Sequence, residues 1–253
     1  MDAGKLPLER SLVEYTDGTT VFEGYVARPA GLAQRTPCVL LAHEWSGLNA
    51  AMRRCADQLA ALGYIGFAAD VYGKGVRGDE LGDNAHLMGP MMADRRLFRR
   101  RLLAGFDAAT RFPGVDAHRM AALGYCFGAL CAPDLARAAP PNLLATVSFH
   151  GVLHAPRIGP QAPITSSIHA TAWLGRPGRA AERRSRHCRG THRRRRGLAA
   201  TCLWPCPARI HVRGANLPER GIAYDAAADR RSWAAMQAFL AERLAPGVSP
   251  KAA

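Results

Sequence analysis

At 253 residues, 48% of them hydrophobic, the chain is long enough for one large domain with its own core. No opening apolar run resembles a signal peptide and no 18-residue apolar segment could span a bilayer. The seven cysteines are too few and too odd for a disulfide scaffold, so a cytoplasmic protein with free thiols is expected. The net charge of +14 is local: residues 164–213 hold twelve arginines against one acid, Glu182, whereas the rest carries 22 basic and 19 acidic side chains, the balance of an ordinary enzyme.

Residues 12–26 place Asp17-Gly18 between two runs of β-formers, which predicts an antiparallel hairpin. After a loop over 29–34, the unbroken apolar run 38–43 predicts a strand buried on both faces. The polar loop Glu44-Trp-Ser-Gly-Leu-Asn49 follows. Asn49 can cap a helix whose apolar positions Met52, Cys55, Leu59 and Leu62 end at Gly63. A strand over 64–69 leads through Asp70-Val-Tyr-Gly73 into a glycine-rich loop extending to about Pro90. A helix is expected from about Ala93 to Arg111, with Leu97, Leu102, Leu103 and Phe106 inward and Arg95, Arg96, Arg99, Arg100 and Arg101 as a solvated face. Next come a strand through Met120, a helix to about Ala138 that Pro133 should bend or shorten, and a strand over 143–149. This alternation predicts an α/β fold with a doubly wound, mostly parallel sheet. Trp233, Met236, Phe239, Leu240 and Leu244 mark a closing helix. Residues 1–245 read as a single domain and 246–253 as a disordered tail.

The chemistry concentrates at Gly124-Tyr-Cys-Phe-Gly128, where an apolar strand runs into a helical pattern. Two glycines let strand and helix approach around one strained residue, which lifts the Cys126 side chain out at the top of a sheet. A helix N-terminus there lowers a thiol pKa and supplies N–H donors to a developing oxyanion. The plain alternative is a buried packing cysteine, the commonest fate of a free thiol.

These residues, with His43-Glu44-Trp45-Ser46-Gly47-Leu48-Asn49 and Asp70-Val-Tyr-Gly73, resemble the dienelactone hydrolase family of α/β-hydrolases. The resemblance spans residues 1–163 and 214–245. It implies an α/β-hydrolase fold, a small lactone or carboxylic ester as substrate, Cys126 as nucleophile and Glu44 as the loop carboxylate that helps form the thiolate. It also implies the backbone N–H groups of Phe127 and Trp45 as the oxyanion hole, with no metal or organic cofactor. Glu44 could otherwise be a solvated loop carboxylate. Ala129 stands where the family often has a third glycine.

The family's later loops should supply an Asp in a pattern such as His-Gly-x-x-Asp-Pro, then a His in a pattern such as His-Ala-Phe. Residues 164–213 contain neither, and neither a convincing strand nor an amphipathic helix. Reading that window's codons one base later permits both patterns. The Asp would straddle the codons of Arg176 and Pro177, and the His those of Ala208 and Arg209. The window therefore reads as an out-of-frame insert, a frameshift between two compensating shifts, which disrupts the last strands and impairs catalysis. His211 and Asp225 are unpersuasive substitutes.

Taken at face value, the same window suggests another function: a non-catalytic hydrolase-fold protein with an Arg-rich nucleic-acid-binding arm. Trp204 is the only aromatic near the arginine run and no nucleic-acid fold surrounds it, so incidental polyanion binding by 183–196 is expected rather than a specific site. Cys188, Cys202, Cys206, His187, His192 and His211 match no usual zinc spacing. No membrane partner is expected.

Overall fold

The computed structural model describes residues 7–80, 82–151, 155–173, 198–203, 216–217 and 222–249. The expected hairpin is there: β1 (Leu8–Thr16) pairs antiparallel with β2 (Val21–Pro29), and the Asp17 carboxylate accepts the N–H groups of Thr19 and Thr20 to close the turn. The sheet then continues through β3 (Thr36–Ala42), β4 (Ile65–Ala69), β5 (Val115–Tyr125) and β6 (Leu143–Phe149), in the order β1-β2-β4-β3-β5-β6. From β4 across, all pairings are parallel.

Helices cover both faces, which is why β3 is apolar without alternation. Val39 and Leu41 pack toward α1 (Ala50–Ala61) and the closing helix, while Cys38, Leu40 and Ala42 pack toward the other face. Asn49 caps α1 by accepting the Met52 N–H at 3.0 Å, as its position predicts. A Cβ on Gly66 of β4 would meet the Ala56 carbonyl oxygen at 2.5 Å, so this glycine lets α1 lie directly on the strand.

Four expectations need correction. The loop to Pro90 is helical from α2 (Ala85–Ala93), because Asn84 ties it down: its amide oxygen accepts from the Asp79 N–H and its amide nitrogen donates back to the Asp79 carbonyl. The next helix, α3 (Arg95–Arg111), starts at the Asp94 cap, whose carboxylate accepts the Arg96 and Leu97 N–H groups. Its arginines are not simply a solvated face. Arg95 pairs with the buried Asp134, which also takes Arg137 at 2.9 Å, and Arg101 donates to the carbonyls of Val71 and Tyr72. Finally, α4 (Gly128–Ala138) runs through Pro133 unbroken. Pro133 cannot donate to the Ala129 carbonyl four residues back, and the Ser148 hydroxyl donates to that oxygen instead, at 2.8 Å.

The fourth correction lies inside the arginine-rich window. Two strands that its sequence did not suggest, β7 (Ser167–Trp173) and β8 (Leu198–Leu203), extend the sheet in parallel beyond β6. An exposed sheet edge offers backbone groups that pair largely irrespective of side chain, so weak strand formers can be recruited onto it. The arginine run itself lies outside the described residues. Beyond it, β9 (Asn216–Leu217) and β10 (Ile222–Ala223) form a short ladder, and α5 (Ala226–Arg243) closes the fold, capped by Asp225. Met236, Phe239 and Leu240 pack on the α1 side of the sheet, as the stripe predicts. Val248 of the expected tail packs there too, and residues 250–253 lie outside the described residues.

Candidate active site

β3 and β5 end side by side, with Ala42 opposite Gly124, so the loop after β3 and the turn after β5 share the carboxyl edge of the sheet. In that turn Cys126 has φ of 54°, a left-handed conformation that a non-glycine residue rarely adopts. The turn is locked by its N–H donating to the Phe149 carbonyl at 3.2 Å and its carbonyl accepting the Ala129 N–H at 3.1 Å. A Cβ on Gly124 would stand 2.0 Å from the Gly128 carbonyl oxygen, and one on Gly128 would stand 2.1 Å from the Ala42 carbonyl oxygen, so both glycines are required by close approach. Ala129 fits because Gly151 opposes it: a Cβ there would meet the Ala129 Cβ at 2.4 Å.

Cys126 is half-buried and stands two residues before α4, next to Phe127, the N-cap. The other described cysteines are buried. Burial pushes Cys55 up to about 12, and it also raises Cys38 and Cys131 above the ordinary thiol range. Of these four thiols, Cys126 alone is both accessible and placed at a helix N-terminus.

The β3 loop turns inward rather than into solvent. Glu44 is 2% exposed, so the solvated-carboxylate alternative does not hold. Its Oε1 accepts from Asn49 Nδ2 at 3.3 Å and from the Ser46 hydroxyl at 3.4 Å. Trp45 is held by its carbonyl, which accepts the Tyr72 hydroxyl at 3.0 Å. Tyr72 comes from the Asp70-Val-Tyr-Gly73 turn, where the buried Asp70 carboxylate accepts the Tyr72 and Gly73 N–H groups. Its ring stacks on Phe127 at 5.9 Å and lies 4.6 Å from the His43 ring. Burial, with Cys131, Cys126, Asp70 and Glu44 nearby, pushes the Tyr72 phenol well above its ordinary range, so it is a donor and not an anion. All three quoted motifs thus converge on one edge. The sequence alone assigns His43 and Tyr72 no role; a polar ring ending an apolar strand is the available signal for His43.

A cavity of about 440 Å³ opens between the N-terminal turns of α1 and α5, with Glu44, Met52, Cys55, Tyr125, Asp229 and Trp233 in its wall. It reaches Glu44 and Tyr125, the neighbour of Cys126, without including Cys126. Among the described residues no cluster of three or more His, Cys, Asp or Glu could hold a metal, and no helix is long and apolar enough to cross a membrane. His211 lies outside the described residues, and Asp225 is occupied as the α5 cap.

The model of the dienelactone hydrolase family matches residues 22–174. An Aquifex aeolicus protein named "Putative carboxymethylenebutenolidase" is 28% identical over 149 residues, 56% of this chain; the chain spans 61% of that relative's length. Among solved structures, the protein called m3DLH superimposes with a TM-score of 0.82 at 29% identity, covering 96% of this chain and all of the other. A dienelactone hydrolase-like promiscuous phosphotriesterase from metagenomic libraries gives 0.81 at 30% identity, covering 94% and 99%.

Proposed function

Because the chain belongs to the dienelactone hydrolase family, we propose that it is a hydrolase of small lactones or carboxylic esters with Cys126 as its nucleophile and Glu44 as the partner that takes the thiol proton. The observation that supports this most is the strained, half-buried Cys126 at φ 54°, on the same sheet edge as a buried Glu44. The thiolate attacks the substrate carbonyl, and the N–H groups of Phe127 and Trp45 receive the oxyanion. The carbon–oxygen bond then breaks, the leaving oxygen takes a proton, and water hydrolyses the thioester to release the acid and free the thiol.

The second half of that cycle needs a base that activates water, and here the reading is of an impaired enzyme. Residues 164–213 carry no aspartate, and the family match stops at residue 174, inside that window. Just before that end, His169 of β7 is buried against Phe239, with its Nε2 lacking a hydrogen-bond partner among the described residues, so the core fits poorly there. The chain should therefore acylate at Cys126 and turn over slowly.

The test is a p-nitrophenyl acetate burst followed by intact-mass analysis. A near-stoichiometric burst with one acetyl group on Cys126, abolished in Cys126→Ala, is expected. No acylation of the wild-type chain, together with salt-dependent retention on nucleic acid, would favour the arginine-arm alternative.

A further inference from the structure

The peptide joining Glu44 to Trp45 is gripped from behind. His43 Nδ1 lies 2.7 Å from the Glu44 carbonyl oxygen, and the Gly47 N–H donates to the same oxygen at 3.0 Å. Across the ring, the Val71 N–H donates to His43 Nε2 at 3.2 Å. Two donors cannot face each other, so Nε2 is bare, Nδ1 carries the proton, and the ring is neutral. Asp70 Oδ1 stands 3.9 Å from Nε2, but the Asp70 carboxylate accepts the Tyr72, Gly73 and Glu23 N–H groups. That proximity is not an ion pair. Burial outweighs the pull of Asp70 and pushes His43 below its ordinary range, which agrees with the hydrogen-bond pattern.

A trans peptide points its N–H opposite its C=O, so whatever fixes the Glu44 carbonyl fixes the Trp45 N–H. We propose that His43 is a positioning residue: its Nδ1–H tautomer sets the plane of the Glu44–Trp45 peptide and aims the Trp45 N–H at the carbonyl oxygen of a substrate on Cys126. The role rests on the reading of Trp45 as an oxyanion donor. Donation into the carbonyl also polarises the peptide and strengthens its N–H. Tyr72 completes the grip, its ring limiting rotation of the imidazole and its hydroxyl holding the next carbonyl, that of Trp45.

Two reactions at one sulfur separate positioning from general structure. Acylation by p-nitrophenyl acetate passes through an oxyanion, whereas alkylation by iodoacetamide does not. In the full chain, His43→Gln keeps an acceptor for the Val71 N–H but loses the donor to Glu44. Acylation of Cys126 should slow about 10-fold or more, while alkylation stays within about twofold of wild type. His43→Asn places an amide N–H where Nδ1–H was and should restore acylation to within about threefold of wild type. Equal acylation by His43→Gln and wild type would overturn the proposal. So would a parallel fall of acylation and alkylation in both variants, which marks simple loosening. A wild-type chain that is alkylated at Cys126 yet never acylated would overturn the nucleophile reading itself, before any His43 variant is compared.

Discussion

A Cβ on Gly128 would stand 2.1 Å from the carbonyl oxygen of Ala42, so β3 and the elbow meet backbone against backbone. No rotamer can relieve that contact, because the neighbour is main chain. Gly128→Ala should cost about 3 kcal/mol or more, at or above the upper end for overpacking. Gly89→Ala in α2, where the added methyl meets nothing within 4 Å, should be neutral or stabilising by up to about 1 kcal/mol. Urea unfolding midpoints of the two variants provide the comparison.

The elbow was legible because its signal is local: two glycines two residues either side of a cysteine, after an apolar strand. The buried strands and the Asn49 cap were legible for the same reason. The salt bridges of α3 were not, since Arg95 and Arg101 look like surface charge until Asp134, 39 residues on, and the Val71 and Tyr72 carbonyls are brought beside them. Nor was α2, whose start depends on Asn84 folding back onto Asp79. β7 and β8 were missed because the sheet edge recruits them, and their own sequence does not advertise it.

Thiol reactivity should follow the burial pattern. Iodoacetamide at pH 7.5 should modify Cys126 before Cys38, Cys55 or Cys131, because burial raises those three thiols, Cys55 to about 12. Peptide mapping after brief labelling reads this directly. Early modification of Cys38 or Cys55 would contradict both the sheet assignment and the packing of α1.

Asp134 is 4% exposed and holds two arginines, Arg95 from α3 and Arg137 from its own helix. Removing it leaves two guanidinium groups facing a poorly solvated site. Asp134→Ala should destabilise the fold by about 3 kcal/mol, the low end for breaking a buried pair, because Arg137 retains some access to solvent. A chemical denaturation curve measures it, and a loss below about 0.5 kcal/mol would show that the pair behaves as a surface bridge.

Two buried histidines give the stability curve a sign. Burial lowers the pKa of both His43 and His169 below the ordinary 6.5. The unfolded chain therefore binds protons first as pH falls, and the native state loses ground from about pH 6.5 downward toward each folded pKa; above 6.5 neither ring contributes a slope. His169→Leu should remove its share of that slope and stabilise the chain at neutral pH by about 1–3 kcal/mol, since a buried polar atom without a partner is eliminated. Thermal unfolding at pH 5.5 and 7.5 in both proteins tests this.

The last prediction compares the chain as written with a version in which residues 164–213 are translated one base later. Both should form the thioester at Cys126, because the elbow, Glu44 and the His43 grip all lie outside the window. They should differ in its hydrolysis. Loss of triad members lowers turnover by several orders of magnitude while the oxyanion hole and binding leave a remnant. The written chain should therefore show a burst followed by slow release, about 1,000-fold or more below the restored chain at saturating ester. Stability should shift in the same direction but by less than a lost strand pair would imply, because β7 and β8 already sit on the sheet and the penalty falls on ill-fitting side chains such as His169. Equal steady-state turnover in the two proteins would overturn the impaired reading and require a base among residues 164–213 as they stand.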